Sequence, residues 1–269
     1  MGEPKDITEI KLSEIRYSIC TFVTRHTQYN DMVESFVSHG FSYDDCEYLY
    51  IDNSETNHYE AYAGINKFLA ISKGLYIIIC HQDLLLLQDD RKKLDAVIEE
   101  LNQLDPNWGV CGNGGGIHPG RLALRVTDPH GDDQFTERLP IKVRGLDENF
   151  LVARRDANLA VSRDLHGFHL YGADLCIVAH FLGYSTYVVD FHLRHLSHGV
   201  KGPTFDPVRS ALITKYDRSL RPQMVTTPST TVFLGNRAFL SSVLNSFVVL
   251  GIARRLGRLA ARLRPRGDS

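Results

Sequence analysis

A chain of 269 residues, 43% hydrophobic and 23% charged, has the composition of a soluble protein that buries a sizeable core, either one large α/β domain or a domain with an appendage. The net charge of −2 conceals a polarity: residues 201–269 carry 12 Lys+Arg against 3 Asp+Glu, leaving 18 against 29 in the rest. An acidic body excludes general nucleic-acid binding, which needs a basic face, and leaves the basic tail as a match for an anionic membrane surface.

Tyr17 to Thr24 (YSICTFVT) is rich in β-branched and aromatic residues and predicts a first strand. A polar turn, RHTQYND, leads into a helix marked by Met32, Val33, Phe36 and Val37. Cys46 to Ile51 predicts a second strand that ends at Asp52-Asn53-Ser54. Residues 59–73 place Tyr62, Ile65, Phe68, Leu69 and Ser72 at helical spacing before the apolar run Tyr76–Cys80, a buried central strand that ends in His81-Gln82-Asp83. This alternation implies parallel strands with right-handed crossovers, and Thr21–Thr24, Asp52 and Asp83 then converge on one edge of the sheet.

Asp89 to Leu104 predicts a helix with Leu94, Val97, Ile98 and Leu101 on one face. Trp108 to Gly116 (WGVCGNGGG) predicts a short strand running into a glycine-rich loop, and 120–145 a hairpin from RLALRVTD to RLPIKVRG around the loop DPHGDD. Phe150–Arg154 is a further strand, Asp174–Phe181 a helix, and Ser185–Phe191 a last strand feeding LRHLSHG. In the stretch after Ala238, uncharged to Ile252, Arg254, Arg255, Arg258 and Arg262 then recur at helical spacing between Leu256, Leu259 and Leu263. That pattern suits a helix lying on a membrane or one docked on protein.

No apolar run is long enough to span a bilayer. The five cysteines are odd in number and lack CxxC spacing; Cys20, Cys80 and Cys176 read as small buried side chains of a reducing compartment. The N-terminal Glu3, Asp6 and Glu9 do not resemble a signal peptide, so a cytoplasmic chain is expected.

Several polar clusters suit chemistry, each with a structural alternative. Asp52 either accepts hydrogen bonds from a nucleoside or caps a helix, since Asp, Asn and Ser all serve as N-caps. Asp83 either holds a divalent cation against phosphate oxygens or caps the next helix, with His81 as a second ligand or a ribose contact. Asp174 sits where a helix begins; it is either an ionised carboxylate able to accept a proton or an N-cap. His195 and His198, in HLSHG, lie beyond the last strand, where an imidazole completes a borderline-metal site or does nothing of the kind. A P-loop, a GxSxG elbow, an HExxH helix and a GxGxxG turn after the first strand are all absent.

Together, YIDNSETN, GINKFLAISKGLYIIICHQD, WGVCGNGGG, GLDENFLVARR, GFHLYGADLC and HLSHG resemble the family-2 glycosyltransferases of the GT-A fold, in particular the bacterial branch whose DxD-type motif reads HQD. The resemblance spans Tyr17 to Gly199. It implies a single Rossmann-like, mixed and mostly parallel sheet flanked by helices in residues 1–200; beyond it the chain reads as an acceptor-side or linking segment at 201–236 and a basic amphipathic helix at 237–269. The resemblance also implies an inverting transfer from a nucleotide-diphosphate-sugar donor to a hydroxyl of a glycan or lipid-linked acceptor in bacterial surface polysaccharide synthesis; the basic tail separately suggests peripheral contact with the inner face of an anionic membrane.

Residue by residue, the resemblance places Thr21, Phe22, Val23, Asp52, Asn66, Lys73, His81 and Gln82 on the donor, Mn²⁺ or Mg²⁺ on Asp83 and His195, and the base at Asp174. His81 departs from the common pattern by standing where many members carry an acid, which removes a negative charge from the metal site. Two other readings are a sugar-phosphate nucleotidyltransferase, which the glycine-free Arg25-His26-Thr27-Gln28 loop disfavours, and a non-catalytic glycan-binding or scaffolding relative, which the pair Asp83 and Asp174 disfavours.

Overall fold

The computed structural model describes residues 14–136, 138–199, 202–228, 230–246, 248–252, 255–256 and 259. The chain divides into two compact units, 1–209 and 210–269. The first unit is a mixed α/β fold, a sheet core flanked by helices.

Strand β1 (Tyr17–Val23) is followed by helix α1 (His26–Ser38), β2 (Cys46–Asp52), α2 (Ala61–Ile71) and β3 (Tyr76–Cys80). Both β2 and β3 pair with β1 in parallel, as the alternation of elements predicts. Period-two alternation in β1 sends Tyr17, Ile19 and Val23 into a core shared with Met32 and Phe36 of α1. Phe22 leaves the other face and packs edge-on against Phe68 of α2, with ring centroids 5.3 Å apart.

Beyond β3 come a short strand β4 (Leu84–Leu86), helix α3 (Arg91–Leu104) and strand β5 (Trp108–Gly112). The Asp90 carboxylate caps α3 by accepting the Lys93 amide at 2.9 Å. Leu94, Val97, Ile98 and Leu101 are buried on one face, each contributing roughly 1.5–3 kcal/mol of apolar burial.

The next stretch corrects two expectations. Gly114–His118 is not a glycine-rich loop but a strand, β6, paired with β7 (Arg121–Asp128). A Cβ at Gly112 would lie 2.7 Å from the Phe150 carbonyl, and one at Gly115 2.6 Å from that of Gly145. The glycines therefore allow close strand approach rather than a turn. The hairpin partner of β7 is β8 (Gly131–Phe135), not RLPIKVRG. The Asp128 carboxylate closes the turn on the amides of His130 and Gly131 at 2.8 and 3.2 Å. RLPIKVRG is broken up: β9 (Ile141–Lys142) pairs with a later strand, and β10 (Gly145–Leu146) pairs with β6. Pro140, which donates no ladder hydrogen bond, precedes β9 directly.

Strand β11 (Phe150–Arg154) runs antiparallel between β3 and β5; helix α4 (Tyr171–Phe181), β12 (Ser185–Val188) and β13 (Leu193–His195) complete the fold around the site. The main sheet has the order β2-β1-β3-β11-β5-β12-β9, with β11 and β9 opposing the other five strands. The expected single sheet is joined by a second, in the order β10-β6-β7-β13-β4 with β8 beside β7. Its strands β4 and β13 are too short to stand out as runs of alternating residues.

Helix α5 (Phe205–Ser219) leads into the second unit, where β14 (Gln223–Thr226) and β15 (Thr231–Leu234) form a hairpin followed by α6 (Ala238–Leu244). Arg254, Arg258, Arg262 and Leu263 of the expected basic helix lie outside the described residues, as does most of its second half. Among the described residues no helix is long and apolar enough to cross a membrane. All five cysteines are buried free thiols.

Candidate functional site

The polar segment after β3 stands at the carboxyl ends of β1, β2 and β3, all pointing the same way. The main-sheet ladder extends one step past Cys80: the His81 amide donates to the Asn149 carbonyl at 2.9 Å. On the other side, β4 pairs with β13 so that His195 faces Leu84, and the Leu196 amide donates to the Asp83 carbonyl at 3.1 Å. This second pairing brings His195 beside Asp83.

His81 Nδ1 lies 3.2 Å from His195 Nε2, and His195 Nε2 lies 3.4 Å from Asp83 Oδ1. One ligand atom from each of the three residues falls within 4.8 Å of the others. The remaining ring nitrogen of His81, Nε2, is held 3.1 Å from the Tyr171 hydroxyl at the start of α4, and Ser197 Oγ is 3.1 Å from His195 Nε2. Asp83 and His195 are 9% and 7% exposed and His81 is partly buried, so the group is largely shielded from water.

Charge in this niche is matched. Burial alone would raise the Asp83 carboxyl, but the hydrogen bond and charge of His195, with Ser197 and His81, outweigh it and hold it at about 2. Burial lowers the His81 imidazole, and the neighbouring His195 lowers it further, against the pull of Asp83 and Asp147. A neutral imidazole has a lone pair to offer, an ionised carboxylate has oxygens, and Tyr171 orients the ring as an outer partner orients a metal-bound histidine. The donor set therefore fits a divalent cation, and two imidazoles with one carboxylate match borderline transition metals better than Mg²⁺, which favours oxygen. His81, expected on the donor, belongs to this group.

Asp52 also stands at the carboxyl edge, half-exposed, two strand spacings (roughly 10 Å) across the sheet from the end of β3. Its carboxyl is held below the usual range by the Ser54 hydroxyl at 2.6 Å and amide at 2.9 Å, and by His26 Nε2 at 3.1 Å.

The other expected donor residues have structural engagements. The Thr21 and Val23 side chains are buried, with Thr21 Oγ1 3.4 Å from Cys80 Sγ. Gln82 turns back to the start of α1: its Oε1 accepts the amides of Thr24 and Arg25 at 2.8 and 2.9 Å, and its Nε2 donates to Thr24 Oγ1 at 2.7 Å. The Asn66 amide makes a two-way clasp on Val161, 2.9 Å to the carbonyl and 2.9 Å from the amide. Lys73 lies before β3, and its amide donates to the side chain of Glu47 at the start of β2. It therefore belongs to the amino edge, at the opposite end of the strands from Asp52 and Asp83.

Asp174 lies one helical turn after Tyr171 and is fully buried. Its two oxygens accept the Ser162 amide at 2.6 Å and the Ser162 hydroxyl at 2.7 Å. The Asn66 clasp on Val161 and the Asp174 grip on Ser162 secure the same loop. At the start of α4 a Cβ on Gly172 would lie 2.6 Å from the Leu146 carbonyl, so the glycine lets this turn press against β10. The Glu148 carboxyl accepts the amides of Gly172, Leu170 and Tyr171, and its carbonyl accepts the Tyr171 hydroxyl at 3.1 Å. Burial first, then Asp147, pushes the Glu148 carboxyl up to about 8. Reasoning from the sequence missed Tyr171 and Glu148; the acidic pair in GLDENF at a strand start was the available signal.

No protein-family model matches the chain. A protein of Fuscovulum blasticum, "ATP synthase subunits region ORF 6", is 37% identical over 214 residues, covering 77% of this chain and 85% of that protein. Among solved structures, A197 from STIV has a TM-score of 0.41 at 13% identity, covering 67% of this chain and 85% of that one. S. aureus TarS 1–349 has a TM-score of 0.43 at 9% identity, covering 68% of this chain and 60% of that one.

Proposed function

We propose that this chain, which belongs to the family of the Fuscovulum blasticum ORF 6 protein, is a cation-dependent glycosyltransferase. In this reading it moves a sugar, with inversion, from a nucleotide-diphosphate-sugar to a hydroxyl of a glycan or lipid-linked acceptor in bacterial surface polysaccharide synthesis. The observation that carries the reading is the convergence of His81, Asp83 and His195 at the carboxyl edge of the parallel strands, with Asp52 on the same edge. Open α/β sheets bind ligands there, and a nucleotide reaching from Asp52 presents its diphosphate towards the three-residue group. Gln82, Thr21 and Val23 shape the strand ends from behind.

His81, Asp83 and His195 would hold the cation, Mn²⁺ in preference to Mg²⁺. When bound, it would offset the negative charge that grows on the departing nucleoside diphosphate. Tyr171 keeps the His81 ring in place. Asp174 is the group proposed to take the acceptor proton. Asp174 is fully buried, and each of its oxygens accepts one Ser162 hydrogen bond while keeping a lone pair for a proton, so acceptor binding must first expose it. Direct displacement by the freed oxygen inverts the anomeric carbon.

The enclosure of Asp174 also favours a second reading, a protein that binds nucleotide-sugars without transferring them. A thermal-shift panel of nucleotide-sugars with and without Mn²⁺ tests what the two share, since a ligand of the native state raises its melting temperature. Anomeric NMR of a transferred product separates them. A product that retains the donor configuration refutes inversion, and a panel with no shift refutes both readings. For the tail, removal of residues 237–269 is expected to reduce binding to anionic liposomes and leave donor binding intact; unchanged liposome binding refutes that role.

A further inference from the structure

Among the described residues the buried amide oxygens Asn113 Oδ1 and Asn149 Oδ1 lack a hydrogen-bond partner, whereas Arg91 Nε, which also has none, lies 3.3 Å from Asp95 Oδ2 in an ion pair. Asn149 lies next to the cation group. It is 6% exposed, and its carbonyl accepts the His81 amide at 2.9 Å, one step beyond the paired Phe150 and Cys80. Residues directly opposite on antiparallel strands project from the same face with neighbouring Cβ atoms. The Asn149 and His81 side chains therefore leave the sheet together, on the face away from Cys80. The Asn149 backbone is fixed as well, its amide donating to Asp147 Oδ1 at 3.0 Å.

A buried amide oxygen without a donor is destabilising, and such a group in a native site calls for an unseen partner. Asn149 Oδ1 accepts only, and the Asn149 backbone is bonded to His81, one member of a group of two imidazoles and a carboxylate. A cation satisfies all four at once. We propose that Asn149 is a further protein ligand of the divalent cation, its amide oxygen joining His81, Asp83 and His195. This rests on reading those three residues as a cation site. The added oxygen balances the two nitrogens, adds no charge, and anchors the cation to β11 as well as to the ends of β3 and β13.

The test uses the full chain and Mn²⁺ alone, titrated by electron paramagnetic resonance without any nucleotide. Asn149→Ala is expected to weaken Mn²⁺ binding about tenfold, the lower end of the loss seen when a metal site is disturbed, and Asn149→Asp to bind at least as tightly as the native chain. In EDTA, Asn149→Ala is expected to melt no lower than the native chain, because it deletes an unpaired polar atom and keeps the backbone bond to His81. If Asn149→Ala binds Mn²⁺ as the native chain does while Asp83→Asn does not bind, the cation site stands and the Asn149 assignment is overturned. If the native chain shows no saturable binding, both fall.

Discussion

His81 Nδ1 and His195 Nε2 are 3.2 Å apart although 114 residues separate them in the chain. Two unrelated pairings enforce the contact. Strand β3 carries His81 to the carboxyl edge of the main sheet, and the β4–β13 pairing of the second sheet carries His195 to the same place. His81, at the position where the resemblance leads one to expect an acid, is thereby paired with a second imidazole beside Asp83.

That geometry predicts equal dependence on both rings. His81→Ala and His195→Ala are each expected to weaken Mn²⁺ binding by about tenfold or more, with Mg²⁺ competing poorly for the native site. Competition titrations by electron paramagnetic resonance measure both. Loss in one variant only would leave the other histidine a hydrogen-bonding neighbour.

Ser162 separates the two roles open to Asp174. Ser162→Ala removes a buried hydrogen bond to a carboxylate and is expected to cost about 2 kcal/mol in urea unfolding, while kcat stays within a few-fold. Asp174→Asn, which leaves one Ser162 donor facing an amide, is expected to destabilise similarly and to lower kcat by about a hundredfold or more if the carboxylate takes the proton. Equal kcat in the two variants would reduce Asp174 to a loop anchor.

Glu148 makes stability depend on pH. Its carboxyl titrates near about 8 in the folded chain and near about 4 when unfolded. The folded state holds the proton more tightly, so this contribution is complete below about 4 and is lost as pH rises through about 8. Glu148→Gln, which mimics the protonated form, is expected to gain melting temperature relative to the native chain across that window and to run parallel outside it. Differential scanning fluorimetry from pH 4 to 9 decides the matter; parallel curves throughout would sink it.

Lys73 and Asp52 give a contrast across the sheet. Asp52→Ala is expected to weaken nucleoside diphosphate binding by about tenfold, the loss of one or two hydrogen bonds. Lys73→Ala is expected to change it by less than about twofold, because residue 73 lies at the amino edge. Calorimetric titration of both variants with the best-binding nucleoside diphosphate measures this; a loss on Lys73→Ala would relocate the donor.

Much of this fold is written in local patterns. Apolar runs of strand length separated by helical periodicity defined β1, α1, β2, α2 and β3 to within a few residues, because each buries its own face and side-chain periodicity is a local property. From their parallel order it also followed that Asp52 and Asp83 share one edge of the sheet. The glycine run at 112–116 was ambiguous because a missing Cβ serves a turn and a tight strand contact equally, and only its neighbours Gly145 and Phe150 make it a strand.

The sequence by itself therefore determined where the acids and His81 would emerge, since strand direction and length set that. Only the tertiary structure decided what those residues meet. Gln82 and Asn66, both polar and near the right segments, spend their amides on Thr24, Arg25 and Val161. Asp174 closes on Ser162, and His195 reaches Asp83 through two three-residue strands. Such contacts join segments tens of residues apart through single hydrogen bonds and short ladders, and they leave no periodic trace in the chain.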